Sequence, residues 1–258
     1  HRLSLDVLPK LRIAGSELMI INSYLKWNYL NPLFVYHNIS NANQVNIMTA
    51  FDIEYIPIKK IRTFFSIVID EIDFFLIEQE GKTERDSRLA LGIQTGFKII
   101  DPFKISNSIL QFEYLKTDRW LYNYDESKDL TAIFVEKIEF PNKHNFYRNI
   151  GHYLGSNVKA FFIDFDYNNI SIHLSNIKKG NNYILDQINT WDESLPNIVE
   201  ETNSIYLNYK KGLHNSLFVK ANLGFSWAYN FHHVVNNHYK WPEFWLSLNY
   251  KLFILDDL

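Results

Sequence analysis

A chain of 258 residues with a net charge of −3 and no cysteine is long enough for one large β domain or two ordinary ones, and it excludes disulfide frameworks, thiolate zinc sites and cysteine nucleophiles. There is no basic excess and no cluster of Lys and Arg interleaved with aromatics, so nucleic acid is not an expected partner. No run of about twenty apolar residues occurs, which excludes α-helical membrane spans, whereas aromatic residues reach 16% of the chain, a level usual for barrels with aromatic girdles at both membrane interfaces.

Alternation of apolar and polar residues, the signature of a strand with one apolar face, begins at once: Leu3, Leu5 and Val7 alternate with Arg2, Ser4 and Asp6. The opening is already strand-like and not a signal peptide, so a processed chain or a piece of a longer one is expected. Strands are predicted near 1–8, 11–21, 44–56, 61–72, 86–99, 106–117, 131–139, 157–168, 169–178, 201–211, 215–231 and 243–255. In 44–56 the apolar set Val45, Ile47, Phe51, Ile53 and Tyr55 opposes Asn46, Asp52 and Glu54. Phe161, Ile163, Phe165 and Tyr167 are followed, after the turn candidate Asn168-Asn169, by Ile170, Ile172 and Leu174. The longest run, 217–231, places apolar or aromatic residues at every second position from Leu217 to Phe231. A water-facing strand usually ends after five or six residues, and a tilted membrane-spanning strand fits such a run better.

The expected connections are unequal. Those near 57–60, 100–105, 168–169 and 212–214 are short, and those at 22–43, 118–156, 179–200 and 232–242 are long, the asymmetry of outer-membrane barrels with short periplasmic turns and long extracellular loops. The predicted fold is therefore all-β, an antiparallel transmembrane β-barrel of the outer-membrane type. About 12 strands form one domain over 1–258, either closed or part of a larger barrel, in the bacterial outer membrane and in contact with its lipid and lipopolysaccharide.

Several motifs then stand in a telling order: His1-Arg2-Leu3, Tyr29-Leu30-Asn31-Pro32-Leu33, the acidic strand end Ile69-Asp70-Glu71-Ile72-Asp73, the tyrosines Tyr122 and Tyr124, and Gly151-His152-Tyr153-Leu154-Gly155 before the acidic positions Asp164 and Asp166. In these elements the chain resembles the Wzi family of capsule-assembly outer-membrane barrels. The resemblance covers most of this chain but only part of the family, whose members carry further N-terminal strands and a small periplasmic helical element. It implies a barrel that holds exported capsular or exopolysaccharide at the cell surface as a lectin, without catalysis or cofactor, with other envelope proteins as further partners.

The candidate carbohydrate-binding residues are Trp27 and Tyr29 in the first long connection and Trp120, Tyr122, Tyr124, Asp125, Arg148, His152 and Tyr153 in the second. Flat rings stack on the apolar faces of sugars while Asp, Asn and Arg satisfy hydroxyls; the alternative is that the rings belong to the interface belts or pack loops over the mouth. The inward-facing Asp52, Glu54, Asp164 and Asp166, with Glu113, Arg2, Lys98, Lys210, Lys220 and Lys251, suggest a charged, salt-bridged lumen. The cluster His232, His233, His238, Tyr239 and Trp241 lacks metal-ligand spacing and is read as a surface loop. A hydrolase pairing of Ser226 with His173 has no supporting motif. A general porin or transport barrel, or a structural outer-membrane protein of a larger assembly, is the second reading, and a soluble or periplasmic all-β interaction protein the third.

Overall fold

The computed structural model describes residues 2–21, 45–72, 89–118, 121, 135–139, 145–149, 154–180, 198–214 and 217–250. They form an all-β architecture in which eleven strands make one antiparallel sheet. In chain order the strands are β1 (Arg2–Leu8), β2 (Leu11–Ile21), β3 (Val45–Ile58), β4 (Ile61–Ile72), β5 (Leu89–Ile100), β6 (Ser108–Thr117), β7 (Val135–Glu139), β8 (Asn145–Asn149), β9 (Val158–Tyr167), β10 (Ile170–Lys179), β11 (Glu200–His214), β12 (Leu217–Tyr229) and β13 (His238–Tyr250). Each strand of the large sheet pairs with its sequence neighbours, except that β6 pairs directly with β9, because β7 and β8 form a separate hairpin within the intervening connection.

Two expectations change. The predicted strand at 131–139 is not part of the wall: β7 pairs with β8, which the alternation had not revealed. Alternation marks a strand but not its partner, and the nearest partner is its own hairpin arm. The last strand starts at His238, five residues before the predicted position, and Pro242 lies inside it opposite Phe225. Proline is tolerated there because, among the described residues, β13 lies at the edge of the sheet and its outer backbone groups have no strand partner. Closure, which the sequence left open, is not seen among the described residues: β1 and β13 do not pair, and the described sheet is an open wall of eleven strands.

All the short connections fall at one end of the wall (the turn end: 9–10, 59–60, 101–107, 168–169 and 215–216), and the connections 22–44, 73–88, 118–157, 180–199 and 230–237 leave from the other (the loop end). Two connections share one local design. Asp101 and Asn230 each adopt positive φ, at 50° and 51°, and each accepts, through Oδ1, a bond from the backbone N–H of the residue six positions on, Asn107 at 2.9 Å and Asn236 at 3.0 Å. Asp and Asn tolerate this conformation and cap their own loop. Because the design serves both ends of the wall, its positive φ angles reflect loop closure and not a ligand.

The two faces are inverted relative to a water-soluble domain. One face carries Ile13, Ile53, Phe65, Phe97, Phe112, Ile163, Leu174, Ile205, Phe225 and their neighbours in register, and it is the exposed face: Phe161 is 55% exposed, Leu223 58% and Leu246 65%. The opposite face carries polar and small residues and is the enclosed one, with Ala160 and Ser226 fully buried. Enclosure of one face of a single sheet requires it to curve over that face. At the loop end the enclosed side holds a small apolar core, where Leu115, Val158, Ala160 and Phe162 pack with Leu154 and Ile177. Beside it Leu121, fully buried, turns in against Met48 and Val68. Gly92 makes room for that leucine: a Cβ there would lie 2.7 Å from Leu121 Cδ2.

Candidate functional site

The inner face is lined by polar residues that alternation puts on that side and that inter-strand register pairs. Near β1–β4, Arg2 lies 2.8 Å from Asp52 Oδ2 as an ion pair, Ser66 donates to the other Asp52 oxygen, and Arg62 pairs with Glu54. Further along, Gln94 donates to Glu113 at 2.9 Å, and His173 Nδ1 lies 2.6 Å from Asp164 Oδ1. Asp166 shares this face, opposite Ile109 and Ser171, and makes no ion pair among the described residues. Mixed signs paired across strands give a neutralised, wettable lining, not a ring of one charge of the kind that selects ions.

Ser226 and His173 both face inward but serve different partners. Ser226 Oγ donates to Ser204 Oγ at 2.8 Å and lies 3.1 Å from Tyr206 Oη, whereas the described hydrogen-bond partner of His173 is Asp164. No His/Asp/Glu cluster with metal-binding geometry occurs among the described residues.

At the loop end of β12 and β13 the structure assembles an aromatic platform. Phe231 and Tyr239 stack with centroids 4.9 Å apart at 17°, and Trp241 closes the group at 5.4 Å from Tyr239 and 5.9 Å from Phe231. Register places Tyr239 opposite Ala228 and Trp241 opposite Ser226, on the enclosed face at the mouth, and Tyr239 remains 49% exposed. Trp241 Nε1 donates to Glu243 Oε1 at 2.8 Å, and Tyr206 Oη donates to the same oxygen at 2.9 Å. The loop itself is anchored to the neighbouring connection: the His232 backbone N–H donates to Glu200 at 2.8 Å, His233 Nδ1 to the Ile198 carbonyl at 2.9 Å and Asn230 Nδ2 to the Val199 carbonyl at 3.0 Å. Rings held this firmly beside a fixed carboxylate match what stacking on a pyranose face and bonding its hydroxyls require, with little ordering left to do on binding.

In the sequence the histidines His232, His233 and His238 dominate this cluster, and without metal-ligand spacing it reads as a surface loop. The available signal was the i, i+2 pair Tyr239 and Trp241 on one strand face. Of the carbohydrate-binding candidates in the sequence, Trp27, Tyr29, Trp120, Tyr122, Tyr124, Asp125, His152 and Tyr153 lie outside the described residues, and Arg148 sits on β8 opposite Glu136. Their connections, 22–44 and 118–157, leave the wall at the same end as the platform. No family model, curated protein or solved structure matches the chain.

Proposed function

We propose that this chain is the wall of an outer-membrane β-barrel that holds exported surface polysaccharide at its loop end, as a non-catalytic lectin. The observation that carries the reading is the inverted burial: large apolar side chains are exposed on one continuous face, and polar side chains pair on the enclosed one. Water would penalise such a face across so many strands, while lipid requires it. The outward aromatics support the same placement. Tyr55, Tyr167 and Tyr209 lie toward the turn end, and Trp227 and Tyr229 lie at the loop end. On β9, Lys159 and Tyr167 are separated by about 27 Å along the strand, close to the ~25 Å apolar band of such barrels. The edges of β1 and β13 would need strand partners within lipid, where an unpaired edge is not tolerated.

The platform of Phe231, Tyr239 and Trp241 supplies the sugar contacts, extended by the aromatic residues of 22–44 and 118–157, and the motif resemblance to the Wzi family points the same way. The test is saturable binding of the detergent-solubilised protein to the producing organism's own surface polysaccharide. Tyr239→Ala/Trp241→Ala is expected to weaken binding at least tenfold, with a Trp120→Ala/Tyr122→Ala/Tyr124→Ala variant as the second arm. No saturable binding by folded protein would overturn the reading.

A transport barrel is favoured by one observation, the ion-paired lining around Asp52 and Glu54. Against it stands the apolar packing of Leu121 and Leu154 onto the inner face at the loop end. Sustained conductance in planar bilayers would decide for transport.

A further inference from the structure

The exposed face is not uniform. Between β3 and β9 it sinks into a groove of about 570 Å³, walled by Phe65, Phe97, Tyr114 and Phe161 with Thr63 and Thr95 at its floor. The walls are braced by ring pairs, Phe97 with Phe112 at 4.7 Å and Tyr114 with Phe161 at 4.8 Å. The floor is low because two threonines stand where the neighbouring strands carry Phe or Tyr in register: Tyr55 and Phe97 beside Thr63, Phe65 and Tyr114 beside Thr95. Their hydroxyls are already satisfied, Thr63 Oγ1 donating to the Tyr55 carbonyl and Thr95 Oγ1 to the Phe64 carbonyl, each at 3.0 Å. The groove therefore makes no polar demand on an occupant.

Directly toward the loop end of this groove, Lys116 faces Lys159 and Lys159 faces Lys178 across three adjacent strands. Lys116 and Lys159 share the outer face with Tyr114 and Phe161, two residues further along, about 7 Å. Like charges directly opposite one another destabilise a sheet. The outer two are partly offset, Lys116 by Asp118 at 3.3 Å and Lys178 by Glu201 at 3.2 Å, whereas the central Lys159 has no acidic partner among the described residues.

We propose that this row and groove form a binding site for one membrane lipid with an anionic phosphate headgroup, its phosphate on Lys159 flanked by Lys116 and Lys178 and an acyl chain lying between Phe97 and Phe161. The complementarity is in both parts: the row of like charges calls for an anion at the headgroup level, and the groove below it calls for a hydrocarbon chain. A phosphate accepts charge-assisted bonds from several ammonium groups at once, and basic residues at a membrane surface are each attracted to anionic headgroups. The site rests on the exposed face being the lipid-facing one and is independent of polysaccharide binding.

The test is native mass spectrometry of the detergent-solubilised protein with dipalmitoyl phosphatidic acid, with dipalmitoylglycerol and with inorganic phosphate, folding of every variant being checked by heat-shifted gel migration. Phosphatidic acid is expected to be retained at least tenfold better than the uncharged lipid. Lys159→Gln should weaken retention about fivefold, and Lys116→Gln/Lys159→Gln/Lys178→Gln should abolish the preference. Thr95→Trp, which fills the groove and leaves the lysines in place, should also release the lipid. Equal retention of the two lipids, or undiminished retention by the triple variant, would overturn the proposal. Displacement of the lipid by inorganic phosphate at equal concentration would likewise overturn it, revealing a bare anion site. A protein that fails to enter detergent micelles at all would instead overturn the membrane reading itself.

Discussion

The ring of Tyr206 occupies the space that a side chain on Gly224, its registered partner on the next strand, would need: a Cβ there would overlap Cδ1 and Cε1 of the tyrosine. Because β12 carries only a hydrogen at that position, the ring lies across the strand and its hydroxyl reaches Glu243 on β13 at 2.9 Å. Three strands are tied by one side chain, and the oxygen it bonds also receives Trp241 of the aromatic platform. Phe64 lies over Gly96 in the same way, with ring atoms 2.7 and 2.9 Å from where a Cβ would stand. Aromatic cover of a strand glycine is a recognised device for pinning register.

Gly224→Ala should displace Tyr206 and break its bond to Glu243, costing about 1–3 kcal/mol as overpacking does. Gly15→Ala is the control, because nothing lies within 4 Å of its Cβ. Urea midpoints of the two variants in detergent should separate clearly, and equal midpoints would show that Tyr206 is free to move aside.

Glu243 Oε1 accepts from both Trp241 and Tyr206, so the residue's shape and its charge are separable. Glu243→Gln keeps the accepting oxygen and should leave the fold intact. Glu243→Ala leaves two donors without their partner, at about 1–3 kcal/mol, and frees the Trp241 ring to rotate. Intrinsic tryptophan fluorescence with a collisional quencher is expected to show greater access in the alanine variant alone.

Leu223 is 58% exposed on the apolar face. In water, a change at such a position falls within about 0.5 kcal/mol, whereas Arg on a lipid face near the bilayer midplane costs about 2–4 kcal/mol. Leu223→Arg should therefore strongly reduce folding into lipid vesicles. A neutral result would place this face in water.

Lys60 Nζ lies 2.7 Å from Asp101 Oδ2 in the connection between β5 and β6, and that bond, helped by the backbone N–H groups of Asn107 and Ser108, holds the Asp101 carboxyl below its ordinary range. A carboxyl lowered in the folded state contributes stability that is present above its unfolded value of about 3.9 and is lost as pH falls through the lowered folded value. Asp101→Asn keeps the positive-φ tolerance and an oxygen for Asn107 while removing the charge. Its urea midpoint should fall below wild type at pH 7, and the two should converge in acid. A difference that persists at the lowest pH would mean the turn is held by geometry and not by charge.

The strands, their approximate bounds and the two faces of the wall were legible in the sequence because side-chain direction in a strand repeats every two residues, so alternation such as Phe161, Ile163, Phe165 and Tyr167 against Phe162, Asp164 and Asp166 marks both strand and face. The same alternation placed Asp52, Glu54, Asp164 and Asp166 together on one side. It carried no information about pairing partners that lie far apart in the chain. That β6 joins β9 past the β7–β8 hairpin, that β1 and β13 do not pair with each other among the described residues, that Gly224 admits Tyr206, and that Phe231 meets Tyr239 and Trp241 beside Glu243 were decided only by the tertiary structure, because each depends on register between strands, and register is set by long-range hydrogen bonding and packing that no local pattern encodes.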